Sequence, residues 1–178
     1  MILAAIVLLC AVALFFASFL SWMVLQLHKK DWGKLDKEAE FMAVAAQCQI
    51  PVGSYMFPAC NDHKEMQSEE FKKKYEAGPR GVLTILPKTN MGQNLVLTFI
   101  YFAAISAGLA YLASMAFQPG AGFVQVFRFV FIAAFMTFLA SMVQHAIWFR
   151  PRIVGHVIES VAYAAITAAI FASLWPAS

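Results

Sequence analysis

Charge is what this sequence has least of. Asp, Glu, Lys and Arg make up only 13% of its 178 residues, against about 25% in an ordinary soluble domain. The shortage is also uneven. Ten of the thirteen Lys and Arg, and nine of the ten Asp and Glu, fall within residues 28–91. The rest of the chain is almost uncharged, which argues against a soluble globular protein. A net charge of +3, interspersed with acids, gives no reason to expect nucleic acid as a partner.

Cysteine is scarce too. Cys10, Cys48 and Cys60 are too few and too irregularly spaced for a disulfide framework. Cys10 sits within an apolar run; Cys48 and Cys60 lie in the polar part and, facing a reducing cytosol, are expected to be free thiols. Catalytic motifs are absent: no Walker loop, no G-x-S-x-G, no H-E-x-x-H and no glycine-rich dinucleotide turn. No catalytic residue is therefore assigned, no cofactor is named, and an enzyme ranks last among the readings. Internal repeats and low-complexity segments are missing as well.

What the sequence does have is long apolar runs, 61% of its residues being hydrophobic. Four of them, residues 1–27, 94–117, 123–149 and 153–175, exceed the roughly 20 residues that cross a hydrocarbon core. The first lacks a basic n-region, is too long for a signal peptide and has no small-residue cleavage site after it. The expected fold is an all-α integral membrane protein. It has four transmembrane helices and a small α+β cytoplasmic domain, residues 28–93, inserted between the first and second.

Orientation follows from the basic residues beside the spans. His28, Lys29, Lys30, Lys34 and Lys37 follow the first span, and Arg150 and Arg152 sit between the third and fourth. The N-terminal flank, the Gln118 loop and the C-terminal tail carry none. The positive-inside rule then puts both termini outside and residues 28–93 in the cytoplasm, with Lys29, Lys30, Arg150 and Arg152 meeting headgroups. Trp22, Trp32 and Trp148 mark the inner interface and Trp175 the outer one. The layout looks like that of bacterial inner-membrane proteins, a likeness that carries no activity. Arg128, near the outer end of the third span, is expected to snorkel.

Within the insertion, residues 35–47 read as a helix capped by Asp36. Residues 54–57 and 82–86 read as short strands able to pair. Residues 66–77 read as a helix capped by Ser68 and closed by Gly78-Pro79, with Phe71 and Tyr75 one turn apart. Its core is marginal, so the domain is expected to lean on the bilayer or on another subunit.

Three constellations invite chemistry. Gln144, His145, His156 and Glu159 flank the Arg150-Pro151-Arg152 turn at similar depth, forming a polar intramembrane cluster. It can hold the hairpin together by ion pairs, serve a ligand or proton, or bind a metal; three ligands on two helices is a weak metal signature, so no metal is assigned. Cys48, Cys60 and His63 fall short of a zinc set and read as a surface loop. Lys72-Lys73-Lys74, with Lys64 and Arg80, suit anionic headgroups, but Glu65, Glu69, Glu70 and Glu76 offset that field.

Small residues recur every fourth position in the spans: Ala13, Ala17 and Ser21; Ala104 and Gly108; Ala133, Thr137 and Ser141; Ala165, Ala169 and Ser173. Such stripes allow close helix packing, within the chain or against a partner. The expected partners are therefore the lipid bilayer and another membrane protein or a second copy. The leading functional expectation is a non-enzymatic accessory, assembly or interaction protein of a membrane complex. The alternative is a small oligomeric transporter or channel subunit built on the His/Glu site.

Overall fold

Among the described residues, four helices are long and apolar enough to cross a membrane. The computed structural model describes residues 2–177. Helix α1 (Ile2–Phe19) runs on through a π-helical turn (Leu20–Val24), making a rod of 23 residues. The other three long helices, α5 (Met91–Ala116), α6 (Phe123–Phe149) and α7 (Val154–Leu174), hold 26, 27 and 21 residues. At 1.5 Å per residue such rods measure roughly 30 to 40 Å, enough for a hydrocarbon core. They form one unit with residues 1–33 and 91–178, and residues 34–90 form a second.

In the helical unit α6 packs most extensively on α7, and α1 on both α5 and α7, whereas α5 and α6 meet only sparsely. Three ladders of fully buried residues at four-residue steps meet in the core: Ile6, Cys10 and Leu14; Val126, Val130 and Ala134; Ala164 and Ala168, continued by Ala172. Residues four apart form a ridge along a helix. Alanine ridges on α7 bring backbones close, which matters where lipid is as apolar as the side chains. Phe171, fully buried, fills the space beside them. The buried ladder of α7 lies one position away from the Ala165, Ala169 and Ser173 stripe, whose last two members are exposed. Alanine occupies both faces of this helix, so spacing alone does not choose between them.

At one end the loop between α5 and α6 is tied to the chain after α7. Trp175 Nε1 donates to Gln118 O at 3.1 Å, and Gly120 N donates to Pro176 O at 2.8 Å. Gly120 has a φ of 86°, a conformation that glycine adopts without strain.

The second unit contains α2 (Glu38–Gln47), β1 (Gly53–Phe57), α3 (His63–Gln67), α4 (Glu69–Ala77) and β2 (Gly81–Ile85). The strands pair antiparallel, Gly53 opposite Ile85 and Phe57 opposite Gly81. Gly81 is needed there: a Cβ would lie 3.1 Å from Phe57 Cζ. The helix expected over 66–77 is broken in two at Ser68, because two caps compete. Asp62 accepts from Glu65 N at 2.8 Å and starts α3. Ser68 Oγ accepts from Phe71 N at 3.1 Å and starts α4, while donating to Glu65 O. Asp36 caps nothing: α2 begins after Lys37, which makes no side-chain cap. No described residue of this unit is buried.

Candidate functional site

The site begins where α1 loses its regular winding. In the π-helical turn Leu25 N donates to Leu20 O at 2.8 Å, and Leu27 N reaches Ser21 O at 3.1 Å. A π-turn inserts one residue into the helical ladder and re-aims the residues beyond it. Gln26, at φ 49°, then reverses the chain. Lys29 N and Asp31 N close two further turns on Gln26 O and His28 O. The result folds His28 back onto α7, where Gly155 leaves room. A Cβ at Gly155 would stand 3.0 Å from the His28 ring and 3.1 Å from Leu27 O. Trp22 stacks on the imidazole, with centroids 4.0 Å apart and planes 16° apart.

Buried in this way (3% exposed), His28 meets a carboxylate on each nitrogen. Nδ1 lies 2.7 Å from Asp31 Oδ2, a hydrogen bond. Nε2 lies 3.1 Å from Glu159 Oε2, close enough for an ion pair, yet out of line for a hydrogen bond, so this buried nitrogen has no hydrogen-bond partner. The second Glu159 oxygen accepts from Tyr163 Oη at 2.9 Å, inside the bundle. His156, one turn before Ser160, places its Nε2 3.9 Å from Asp31 Oδ2, and its ring lies 4.5 Å from that of His28. Burying a carboxylate costs several kcal/mol unless partners satisfy it. Here the partners are an imidazole and a phenol, with no arginine.

A cleft of about 440 Å³ runs beside Glu159, lined by all four long helices. Ser18 and Trp22 come from α1, Thr98 and Tyr101 from α5, Thr137 and Ser141 from α6, and His156, Glu159, Ser160 and Tyr163 from α7. The sparse contact between α5 and α6 leaves this space open. Three of its hydroxyls are already committed as donors within their own helices. Thr98 donates to Asn94 O, Thr137 to Ala133 O and Ser160 to His156 O, at 2.7 to 2.8 Å. A hydroxyl bonded back in this way keeps acceptor lone pairs for whatever enters. Together with Glu159 they make a cleft rich in acceptors, suited to a cation or a hydrogen-bond donor.

Of the polar residues singled out by sequence, the fold brings His156 and Glu159 together. It does not bring Gln144 and His145 to them. Both are exposed and line a separate recess of about 270 Å³ with Ser141, Trp148 and Phe149. The His145 ring lies 4.7 Å from that of Phe149. Equal depth is not equal face. The inward ridge of α6 runs in steps of four from Val126 through Phe138 to Ala146, and His145 falls beside it.

Lys29, Lys30, Arg150, Arg152 and Arg128 are all exposed. Arg150 has left-handed backbone and donates its N–H to Ala146 O at 3.0 Å, closing α6.

Sequence reasoning missed His28 and Asp31 as site residues, taking His28 for part of a basic flank. Only their three-residue spacing hinted otherwise, since a π-turn and a reversal at Gln26 leave no sequence signature. Elsewhere, Cys48, Cys60 and Cys10 are free thiols, Asp62 caps α3, and the His63 ring meets Gln67 Nε2 at 3.1 Å. Among the described residues, the group of donors with metal-ligand spacing is His28, Asp31 and His156.

In the inserted unit Lys72 pairs with Glu69 at 2.8 Å and Lys74 with Glu70 at 2.7 Å. Hydrogen bonds from these lysines hold the Glu69 and Glu70 carboxyls below the usual range, and Glu70 raises Lys74. The lysine run is thus partly neutralised where it stands. Comparison with family models, with curated proteins and with solved structures returned no match.

Proposed function

We propose that the protein is a multi-pass integral membrane protein of the transporter or channel-subunit class, binding a small cation or hydrogen-bond donor in the cleft beside Glu159. One observation carries this: a buried carboxylate at the edge of a cleft lined by all four long helices, with acceptor oxygens from α5, α6 and α7. A residue needed only to hold helices together would be replaced at lower cost by an apolar one, because ionisable groups in a bilayer are expensive. In this reading both termini lie outside, the insertion is cytoplasmic, and the membrane is a bacterial inner membrane. The positive-inside rule supports that orientation. Four helices around one axis leave little room for a continuous pore, so the working form is an oligomer. The test is uptake of monovalent cations, protons and small amines into proteoliposomes. Uptake that disappears in Glu159→Gln supports the proposal, and its absence for all of them overturns it.

A second reading, an accessory or assembly protein of a membrane complex, is favoured by the outward face of α5. Ala104 and Gly108 are exposed there, and a Cβ on Gly108 would meet nothing within 4 Å. This small-residue face is unused within the chain and fits a neighbouring helix. The inserted unit exposes Val52, Met56 and Leu86. Purification in mild detergent is the check: a stoichiometric partner supports this reading, and a solitary monomer counts against it.

A further inference from the structure

The contacts of His28 contain an imbalance. When the imidazole is neutral and donates Nδ1–H to Asp31, its Nε2 carries a lone pair. The Glu159 carboxylate oxygen then lies 3.1 Å from that nitrogen, with the His28 ring buried between Trp22 and Gly155. Two acceptors in contact repel, and a buried nitrogen without a partner is a defect that calls for explanation. A proton on Nε2 removes it, and so does a proton on the Glu159 carboxyl. A cation in place of the Nδ1 proton does so as well, because the proton then sits on Nε2 and the imidazole can turn it to Glu159. On the Nδ1 side a third donor stands ready. His156 Nε2 lies 3.9 Å from the same Asp31 oxygen, and one donor atom each from His28, Asp31 and His156 lie within 4.8 Å of one another. The second imidazole beside Asp31 favours the cation, because it completes a ligand set.

We propose that His28, Asp31 and His156 bind one divalent first-row transition-metal ion, with Glu159 as the carboxylate that orients His28. Two nitrogens and one oxygen suit such an ion, whose bonds of about 2.0 to 2.2 Å put ligands roughly 3 to 4 Å apart. Asp31 Oδ2 stands 2.7 Å from His28 Nδ1 and 3.9 Å from His156 Nε2, so binding requires the side chains to shift by a few tenths of an ångström or more. Ligating histidines usually give their second N–H to a carboxylate. Glu159 Oε2 lies 3.1 Å from Nε2, so a rotation of the imidazole brings that N–H into line, and Tyr163 Oη donates to the other oxygen at 2.9 Å. The proton balance closes: the ion displaces the Nδ1 proton of His28, and Nε2 is the protonated nitrogen of the bound tautomer. Three protein ligands leave coordination positions for water or for a ligand arriving through the cleft. This inference rests on reading the Glu159 end of the cleft as a cation site, and it names the ion by class.

The experiment uses the full chain in detergent, freed of metal by a chelator and titrated with Co(II), whose visible absorption reports nitrogen and oxygen ligands, then with Zn(II) in competition. One Co(II) per chain is expected, displaced by one Zn(II). His156→Ala, at a partly exposed position, should weaken binding at least tenfold while the melting curve of the metal-free protein stays close to wild type. His145→Ala and His63→Ala should bind as wild type does. Absence of stoichiometric Co(II) absorption from folded wild-type protein overturns the proposal, as does binding that survives both His28→Ala and His156→Ala. If metal binding fails while Glu159-dependent uptake persists, the ion is wrong and the cleft reading stands. If metal binds but no uptake is found, the site stands without the transport reading.

Discussion

His28 Nε2 and Glu159 Oε2 lie 3.1 Å apart, joining the end of the first long helix to the first turns of the last. The contact depends on three features around it: a π-turn that re-aims the chain, a reversal at Gln26, and a glycine on α7. The glycine gives an expected outcome that a measurement can refuse.

Gly155→Ala places a methyl group against the His28 ring and the Leu27 carbonyl. Overpacking of this kind costs about 1 to 3 kcal/mol. Thermal unfolding in detergent should show a lowered midpoint, and the fluorescence of Trp22, which stacks on His28, should shift. A Gly155→Ala protein with unchanged stability and emission would remove Gly155 as the seat of His28.

Tyr163 and Glu159 should be coupled. Tyr163→Phe leaves a carboxylate oxygen without its donor, a loss of about 1 to 3 kcal/mol for a buried group. In a double-mutant cycle with Glu159→Gln the interaction energy should be of order 1 kcal/mol or more, as expected for residues in one network. Additive effects would mean that the 2.9 Å contact does not stabilise the bundle.

The two alanine faces of α7 should respond differently. Ala168 is fully buried and Ala169 exposed. Ala168→Leu should destabilise by about 1 to 3 kcal/mol, and Ala169→Leu by no more than about 0.5 kcal/mol. Unfolding curves of the two variants in the same detergent decide it. Equal effects would mean that α7 is rotated.

The inserted unit offers a local check. Ser68→Ala removes the acceptor for Phe71 N, and a lost N-cap costs about 1 kcal/mol. Hydrogen exchange at Phe71 and Lys72 should quicken, while Glu65 N, held by the Asp62 cap at the start of α3, should keep its protection. Faster exchange over both helices alike would make them one cooperative segment.

How much of the fold and the site was legible in the sequence depends on which physical rule governs each part. The four long helices come from apolar length alone, and the strand pair from two β-rich runs bounded by glycine and proline. Glu159 and His156 stood out because ionisable groups are rare in apolar runs. Their partners did not. His145 was grouped with them by depth, but depth along a helix leaves its azimuth open, and the azimuth of α6 is set by a ridge of Val, Ala and Phe. His28 stood in a run with Lys29 and Lys30 and so read as one more basic flank residue. Its burial comes from the π-turn and from Gly155, which is remote from it in sequence. The break at Ser68 was hidden for a related reason, since Asp62 and Ser68 are both good caps and only the folded chain shows that both are used.

The most direct test of the account is the ¹⁵N spectrum of the His28 imidazole in protein labelled at histidine and reconstituted in nanodiscs. The account expects the His28 ring nitrogens to shift on Glu159→Gln and again on Asp31→Asn, and to stay unmoved on His145→Ala. A His28 signal indifferent to Glu159→Gln and exchanging freely with water would contradict it.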